Sequence, residues 1–404
     1  MAALKPANEA EVREAIAAAL AAKTPLEIRG AGTKRGLGHI ENGARMLDMT
    51  RLSGIPLYEP DELVLRALPG TPLREVEARL TQHGQMLAFE PPDYAALLGT
   101  APGAQTIGGV IACNLSGPRR LKAGAARDHF LGFRAVSGRG EIFKSGGRVV
   151  KNVTGYDLCK LIAGSYGTLA ALTETTMKVL PAPEKVRTVL VFGLDDARAV
   201  DAMGAALGGP HEVSAAAHLP QRVAATSQIA YVAGARAAVT ALRVEGFAAS
   251  AEARCHGLRA AMASFGAVEE LHSMNARKFW REVGDVIAFA PDALGGNRAI
   301  WRASVPPASG AAVAQAVMRS REALALYDWG GGLVWLAVAG APDGGAAAVR
   351  SAMRGIGHAT LVRALPGMTA PRFEPEAPAL AALSARVKDA FDPERILNPG
   401  RMGV

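Results

Sequence analysis

Residues 26–38 read LEIRGAGTKRGLG, a short apolar run followed by a loop with four glycines between positions 29 and 38. The apolar run follows Pro25 and predicts a β-strand over Leu26–Arg29. Upstream, Asn8 and Glu11 have the spacing of a capping box, and the apolar residues recur every four positions, which predicts a helix over residues 9–22. A glycine loop that directly follows a strand is a candidate cradle for a phosphate group.

Three nucleotide-binding loops can be compared with this one. The loop lacks the G-x-x-x-x-G-K-[ST] string of a Walker loop. It differs from the Rossmann pattern by one extra residue before Gly36, although Asp48 lies at a suitable distance for that pattern. No helical period follows at residues 37–43, so the helix N-terminus that would bind the pyrophosphate is missing. A nest of successive backbone N–H groups, with Lys34 and Arg35 adding charge, fits the sequence better.

A further dehydrogenase signal is the Tyr156-x-x-x-Lys160 spacing of short-chain dehydrogenases. A tyrosine and a lysine four residues apart are common on helices, so this spacing alone is weak evidence. It stays an alternative beside the glycine loop.

Bulk composition limits the classes of protein. A chain of 404 residues suggests two or three domains. The net charge of +8 is scattered and only 5% of residues are aromatic, which argues against nucleic-acid binding and favours attraction of an anionic cofactor or substrate. The acidic residues near the N-terminus do not fit a targeting peptide, and no apolar run reaches the roughly 20 residues of a membrane span. We expect a cytoplasmic protein, peripheral on the inner membrane if partner subunits bring it there.

The glycine loop is one of several segments that resemble the FAD-binding domain of the vanillyl-alcohol oxidase family, also called PCMH-type flavoproteins. The other segments are PGAQTIGG at 102–109, GRVVKNVTGYDL at 147–158, GSYGTL at 164–169 and NPGR at 398–401. They follow the family's order along nearly the whole chain. Within the family, DWGGGLVWL at 328–336 and GHATL at 357–361 are most similar to the GlcE-type FAD subunits of bacterial glycolate oxidase (glycolate dehydrogenase).

The resemblance implies that FAD is the cofactor, with the first loop at its pyrophosphate and the C-terminal segment returning to the flavin. Covalent members of the family often carry a histidine in the early loop, where this chain has Thr33 or Lys34, so we expect non-covalent FAD. The residues expected to bind it are Arg29, Gly30, Ala31, Gly32, Thr33, Lys34, Pro102, Gly103, Thr106, Ile107, Gly108, Gly109, Asn152, Thr154, Gly155, Gly167, Thr168, Leu169 and Asn398.

The resemblance also implies an α+β fold with a PCMH-type FAD-binding domain over residues 1–183, made of subdomains at about 1–55 and 56–183. A smaller, ferredoxin-like α+β cap domain is expected over 184–365, and residues 366–404 are expected to pack back on the FAD domain. The run Pro181-Ala182-Pro183 marks the first boundary. Beyond it, alternating short strands and helices indicate an antiparallel sheet with helices on one face.

The implied function is FAD-dependent oxidation of glycolate, a 2-hydroxy acid, to glyoxylate within a complex. The implied partners are a larger paralogous FAD subunit and an iron–sulfur subunit. Three scattered cysteines cannot hold a four-cysteine cluster in this chain, which agrees with a separate iron–sulfur subunit. Two alternatives stay open: a non-catalytic flavin relay or assembly subunit of that complex, and a free-standing FAD-dependent alcohol or 2-hydroxy-acid oxidoreductase.

The catalytic residues are not identified by the sequence. Catalytic 2-hydroxy-acid dehydrogenases of the family carry an H-x-G-D-G-N-x-H motif that binds metal and substrate, but here His358 stands alone and no metal site is predicted. Arg119, Arg120 and Arg127 could hold a carboxylate or an anionic reduced flavin, although surface arginines are the simpler interpretation. Trp329 is interpreted as a core or subunit-interface residue.

Overall fold

The computed structural model describes residues 2–39, 43–148, 155–340, 342–353 and 355–403. The N-terminal region, up to Pro181, contains the glycine loop between its first two strands. Its strands are β1 (Leu26–Arg29), β2 (Arg45–Asp48), β3 (Leu57–Glu59), β4 (Val64–Ala67), β5 (Gln85–Met86), β6 (Phe130–Ser137), β7 (Ile142–Gly146), β8 (Ala170–Lys178) and β9 (Leu180–Pro181). Its helices are α1 (Glu9–Ala21), α2 (Leu73–Thr81), α3 (Ala95–Leu98), α4 (Ile107–Ala112), α5 (Arg120–Ala123), α6 (Ala126–His129) and α7 (Leu158–Ile162).

The predicted first helix and strand are confirmed. The Asn8 side chain accepts a hydrogen bond from the N–H of Glu11 at 3.0 Å, and the Glu11 carboxylate accepts one from the N–H of Ala7 at 2.8 Å. These reciprocal contacts satisfy N–H groups that would otherwise have no partner at the start of α1. The buried face of α1 shares an apolar core with β6 and β8 and with β1 and β2, which pair in parallel.

A second sheet in the N-terminal region has the antiparallel order β3-β4-β8-β6-β7, and β5 pairs separately with β9. β6 and β8 are its longest strands and are buried along most of their length. The small parallel sheet and this larger sheet therefore form separate layers, and the glycine loop lies at the edge of the first.

Beyond Pro181 the described strands form one antiparallel sheet with the order β13-β10-β12-β11-β15-β16-β14-β17. Its strands are β10 (Lys185–Phe192), β11 (Ala215–Leu219), β12 (Val239–Gly246), β13 (Val268–His272), β14 (Arg298–Ser304), β15 (Ala323–Asp328), β16 (Leu333–Ala339) and β17 (His358–Arg363). The helices here are α8 (Asp196–Gly208), α9 (Gln221–Ala224), α10 (Ala230–Ala233), α11 (Ala248–Met262), α12 (Ser273–Asp285), α13 (Gly310–Ser320) and α14 (Ala346–Met353).

The strand order contains the ferredoxin-like arrangement twice. β10-α8-β11-β12-α11-β13 is one βαββαβ unit, and β14-α13-β15-β16-α14-β17 is a second with the same internal strand order. The units join edge to edge through the single pair His218 and Tyr327. The α+β prediction is confirmed. The expected ferredoxin-like order occurs twice rather than once, and the two units make a sheet larger than any described in the N-terminal region.

The two faces of this sheet have different neighbours. Four helices, α8, α11, α13 and α14, cover one face and enclose an apolar core around Trp301 and Tyr327. Residues of the other face, such as Leu190 and Trp335, belong to a second core shared with α12 and the N-terminal region. The sheet therefore presents this second face toward the glycine loop and its surroundings.

The C-terminal helix α15 (Pro378–Phe391) leads back to the N-terminal region. The Nζ of Lys388 donates to the Thr168 carbonyl at 2.6 Å and to the Leu397 carbonyl at 3.0 Å, and it pairs with the Asp392 carboxylate. Leu397 in turn forms a parallel bridge with Leu26 at the start of β1. The domain boundaries at residues 183 and 365 remain predictions.

Candidate cofactor site

Two adjoining cavities lie between β1, the glycine loop, α4 and the turn at residues 164–168. Each has a volume of about 70 Å³; the first includes the charged residues Arg29, Lys34 and Arg401 in its lining, whereas the second includes Met49, Ile162 and Leu172. The residues that line both are Ile28, Gly30, Thr106, Gly109, Ala112, Tyr166 and Asn398. A ligand with one anionic and one apolar portion fits such a pair of cavities.

The glycine loop forms one wall of the first cavity and does not open a helix. Its residues turn back through bonds from the N–H of Arg35 to the Gly32 carbonyl and from the N–H of Leu37 to the Lys34 carbonyl. Gly32 has φ +78°, a value that L side chains adopt at a cost. Within the described chain, no atom accepts a hydrogen bond from the N–H groups of residues 31–34. The Rossmann alternative is excluded, and the loop has the features of an anion-binding nest.

Lys34 is the most informative side chain of this wall. It is only 8% exposed, and its Nζ donates to Oε1 of Gln105 at 2.8 Å. Among the described residues no carboxylate oxygen lies within 4.0 Å of it. Burial lowers the pKa of Lys34 to about 8, an effect that Cys113 and Asp93 partly oppose. A buried ammonium without a counter-ion is costly, and a bound phosphate would supply that charge.

Arg29 contributes a second cation to the same cavity. Its Nη2 pairs with the Glu27 carboxylate at 2.8 Å, whereas its Nε is buried and has no described hydrogen-bond partner. Arg35 also binds Glu27, through Nε at 2.9 Å, on the exposed side of the loop. A diphosphate requires several hydrogen-bond donors and positive charge. The unpartnered Nε of Arg29, the ammonium of Lys34 and the N–H groups of residues 31–34 supply both, so the residues present fit FAD.

The second glycine segment, residues 102–109, packs closely against the first glycine loop. A Cβ on Gly30 would lie 2.3 Å from Oγ1 of Thr106, and a Cβ on Gly108 would lie 2.6 Å from Cβ of Pro69. The N–H of Gly108 already donates to the Pro69 carbonyl at 2.9 Å, and the N–H of Gly109 faces Oγ1 of Thr106 at 3.4 Å. These glycines allow close packing of the two loops, and their N–H groups are engaged within the protein.

The C-terminal return completes the site. Oδ1 of Asn398 accepts from the N–H of Ile28 at 2.8 Å, and its Nδ2 donates to the Tyr166 carbonyl at 2.7 Å. A Cβ on Gly167 would lie 2.8 Å from that Nδ2. Nη2 of Arg401 donates to the Lys34 carbonyl at 2.9 Å, so the last residues fix both β1 and the glycine loop. The amide of Asn398 is therefore used to position the walls of the site.

The structure brings most of the predicted cofactor residues together. Those that line the first cavity are Arg29, Gly30, Ala31, Gly32, Thr33, Lys34, Thr106, Gly109 and Asn398. Gly108 and Gly167 line the second cavity. Asn152 and Thr154 lie outside the described residues. The predicted residues that line neither cavity are Pro102, Gly103, Ile107, Gly155, Thr168 and Leu169.

Several of these outlying residues have an evident structural task. The Thr168 hydroxyl donates to the Ser165 carbonyl at 2.7 Å, Ile107 is fully buried in the core, and the N–H of Gly103 donates to Asp93 at 2.7 Å. Sequence analysis missed Cys113, Tyr166 and Arg401 as lining residues. Tyr166 lies in the GSYGTL motif and Arg401 in the NPGR motif, so their place in these motifs could have indicated them.

The short-chain dehydrogenase alternative is not supported. Tyr156 is 90% exposed and lies before α7, and Nζ of Lys160 donates to the Arg127 carbonyl at 2.7 Å. Neither residue lines either of the two cavities. The spacing is therefore a coincidence of local sequence.

Arg119 has a structural role that the sequence did not predict. Its Nη2 and Nε bind the Glu245 carboxylate at 2.6 and 2.9 Å, while Arg243 binds Glu90 with two contacts of 2.8 Å. Each pair joins the N-terminal region to β12, so the expectation of a surface arginine is wrong for Arg119. Burial alone would raise the pKa of Glu245, but Arg243 and Arg119 hold it at about 2.

Comparison with known proteins defines the class. The sequence profile described as "FAD binding domain" matches residues 1–146. The fold matches p-cresol methylhydroxylase, solved with substrate bound, with a TM-score of 0.70 and 14% identity over 100% of this chain and 88% of that one. Fold and profile together define a PCMH-type FAD-binding fold over nearly the whole chain.

Two curated relatives narrow the assignment. Glycolate oxidase subunit GlcE of Escherichia coli (strain K12) is 35% identical over 390 residues, which are 96% of this chain and 95% of the relative. Glycolate oxidase subunit GlcD of Bacillus subtilis (strain 168) is 32% identical over 190 residues, 47% of this chain and 39% of that subunit. The chain belongs to the family of GlcE subunits of glycolate oxidase. No helix in the described ranges is long and apolar enough to cross a membrane.

Proposed function

We propose that this chain is the FAD-binding subunit of a glycolate oxidase (glycolate dehydrogenase) complex, and that its FAD is bound non-covalently. The observation that carries the proposal is the buried ammonium of Lys34, which has no carboxylate near it among the described residues, beside the four free N–H groups of residues 31–34. A bound FAD supplies two-electron oxidation of a CH–OH group, here glycolate to glyoxylate, with electrons leaving toward an iron–sulfur subunit.

The side chains of the cavities support non-covalent binding. No described histidine lines either cavity, and the cysteine and tyrosine that do are Cys113 and Tyr166. Burial raises the pKa of both, so thiolate and phenolate forms are disfavoured at neutral pH. The walls then retain FAD through the donors of the glycine loop and through the apolar lining of the second cavity.

A second candidate function is an electron relay or assembly subunit within the same complex. It is favoured by the missing H-x-G-D-G-N-x-H motif, since His358 has no second histidine near it in the sequence. In that case a larger paralogous FAD subunit oxidises glycolate, and this chain contributes its flavin site to the electron path. A free-standing oxidoreductase would need neither partner.

Replacement of Lys34 tests the cofactor site. Lys34→Met should lose most FAD from the purified chain, Lys34→Arg should retain part of it, and Lys144→Met, which changes an exposed lysine on β7, should retain all of it. Flavin absorbance before and after acid precipitation measures both the content and the absence of a covalent bond. Unchanged FAD content in Lys34→Met would contradict the assignment of this wall.

Turnover assays separate the functions. The wild-type chain is assayed with glycolate and an artificial electron acceptor, alone and together with the paralogous FAD subunit and the iron–sulfur subunit. Activity that requires all three subunits and fails with Lys34→Met supports the complex. Turnover by the isolated chain excludes the relay, and a complex fully active with flavin-free Lys34→Met excludes any flavin role for this chain.

A further inference from the structure

Two arginines that are distant in sequence lie over one indole ring. The Cζ atoms of Arg120 and Arg302 are 4.3 and 5.0 Å from the ring centroid of Trp329. Arg120 begins α5 in the N-terminal region, and Arg302 lies on β14 of the eight-stranded sheet. Nε1 of Trp329 donates to the Gly117 carbonyl at 3.1 Å, which holds the ring between the N-terminal region and the sheet.

Neither guanidinium has a counter-ion among the residues that the structure describes. No carboxylate oxygen there lies within 4.0 Å of Arg120 or Arg302, in contrast to neighbouring Arg119. Asp328 is close in sequence, but its carboxylate accepts from the N–H of Trp329 at 2.7 Å. Burial and the charge of Arg302 lower the pKa of Arg120, so the two cations repel each other. An anion between them would relieve that repulsion.

The pair lies where the eight-stranded sheet meets the N-terminal region. Arg302 is close enough to Tyr166, a residue of both cavity linings, to oppose the rise in its pKa. Both arginines also lower the pKa of His358, which pairs with Ser304 across β14 and β17. Arg302 lies two positions after Ile300 on β14, and Ile300 belongs to the core shared with the N-terminal region, so Arg302 lies on the sheet face turned toward that region. Both side chains are half-buried and open to solvent on one side.

We propose that Arg120 and Arg302 bind the carboxylate of a small organic acid between the N-terminal region and the eight-stranded sheet. This inference deepens the proposed function, on which it rests, by naming the groups that would hold a 2-hydroxy acid without the histidine-rich motif. Guanidinium groups bind carboxylates through paired, charge-assisted hydrogen bonds, and the indole ring keeps the two groups in place.

The test combines binding and turnover. Binding of sodium glycolate, sodium acetate and inorganic phosphate to the FAD-loaded chain is measured by calorimetry and by perturbation of the flavin spectrum. The variants are Arg120→Met, Arg302→Met and the charge-conserving Arg302→Lys, with Arg319→Met at an exposed position of α13 as the control. Flavin content and near-ultraviolet circular dichroism establish that each variant is folded. The KM for glycolate is measured in the assembled complex.

The proposal is supported if glycolate and acetate bind to wild type and to the Arg319→Met control with equal affinity. Affinity should fall about ten- to hundred-fold in Arg120→Met and in Arg302→Met, and less in Arg302→Lys. Phosphate binding as tightly as glycolate would overturn the carboxylate assignment. Equal carboxylate binding in wild type and the Arg→Met variants would overturn it too. If the variants lose assembly but wild type binds no small carboxylate, the anion belongs to a partner protein and the proposal fails. All of these outcomes can occur with FAD bound and the complex active, so they are distinct from failure of the proposed function.

Discussion

Gly30 and Thr106 approach so closely that a Cβ on Gly30 would lie 2.3 Å from the threonine Oγ1. The two residues belong to different loops, and their contact brings the glycine loop against the start of α4. The narrow gap leaves no room for even a methyl group at position 30.

Gly30→Ala should therefore destabilise the chain by about 1–3 kcal/mol and lower its FAD content. The free energy of unfolding in urea and the flavin absorbance measure the two effects. Gly204→Ala is the matched control, because nothing lies within 4 Å of the added Cβ in the middle of α8. That control should be neutral or stabilising by up to about 1 kcal/mol. A Gly30→Ala protein as stable and as yellow as wild type would contradict the packing argument.

FAD affinity should fall as pH rises through about 8, the pKa that burial gives Lys34. Below this pH the ammonium is charged and attracts the diphosphate, and above it the neutral amine does not. We expect the dissociation constant of FAD to rise by up to about tenfold per pH unit above 8. In Lys34→Arg the charge persists, so the dependence should vanish over pH 7–9, as measured by flavin fluorescence titration. A pH dependence identical in both proteins would assign the effect to another group.

Asp328→Asn should stabilise the chain at pH 8 and have little effect near pH 4, with an intermediate gain at pH 5. Burial raises the pKa of Asp328 to about 7, above the unfolded value of about 3.9. The folded chain then binds more protons between these two values, so its stability falls as pH rises through that window. Asparagine has no such penalty, and its oxygen still accepts from the N–H of Trp329. The gain at pH 8 should be about 2–4 kcal/mol in urea unfolding, whereas Asp201→Asn, at an exposed position on α8, should show no comparable change.

Glu245→Gln should cost about 3–5 kcal/mol, because the buried Arg119 and Arg243 would then share the single carboxylate of Glu90. The matched control is Glu322→Gln, since Glu322 is 69% exposed in its pair with Arg298 and should contribute less than about 1 kcal/mol. The pKa of Glu245 is about 2, below the unfolded value, so its stabilisation is present above about pH 4 and is lost as pH falls toward 2. Equal losses of unfolding free energy in Glu245→Gln and Glu322→Gln would contradict a larger contribution from the buried pair.

Local features of the chain were predictable from the sequence. The capping box of α1, β1 and the absence of a helix after the glycine loop all depend on neighbouring residues. The burial of Lys34 was not predictable, because its partner Gln105 is 71 positions away and the loop sequence alone resembles a solvated one. The family motifs located the cavity walls well but did not separate residues that line the cavities from those that only support the walls.

Long-range pairing explains the other misses. Arg119 and Arg120 are adjacent, yet one is bound to Glu245 and the other lies over Trp329 without a described carboxylate partner. Sequence periodicity cannot distinguish them, since the decisive contacts come from β12 and from the turn after β15. The doubling of the ferredoxin-like unit was missed for a similar reason: strands and helices were expected there, but their order in the sheet depends on distant hydrogen bonds.

The repeated βαββαβ order, joined at one residue pair, is the pattern expected from tandem duplication of a half-sized ancestor. The two copies have since diverged in use. The first carries Arg243 and Glu245, which hold it to the N-terminal region, whereas the second carries Arg302 and His358. The first copy is thus fixed to the N-terminal region by ion pairs, and the second carries the arginine of the proposed carboxylate site.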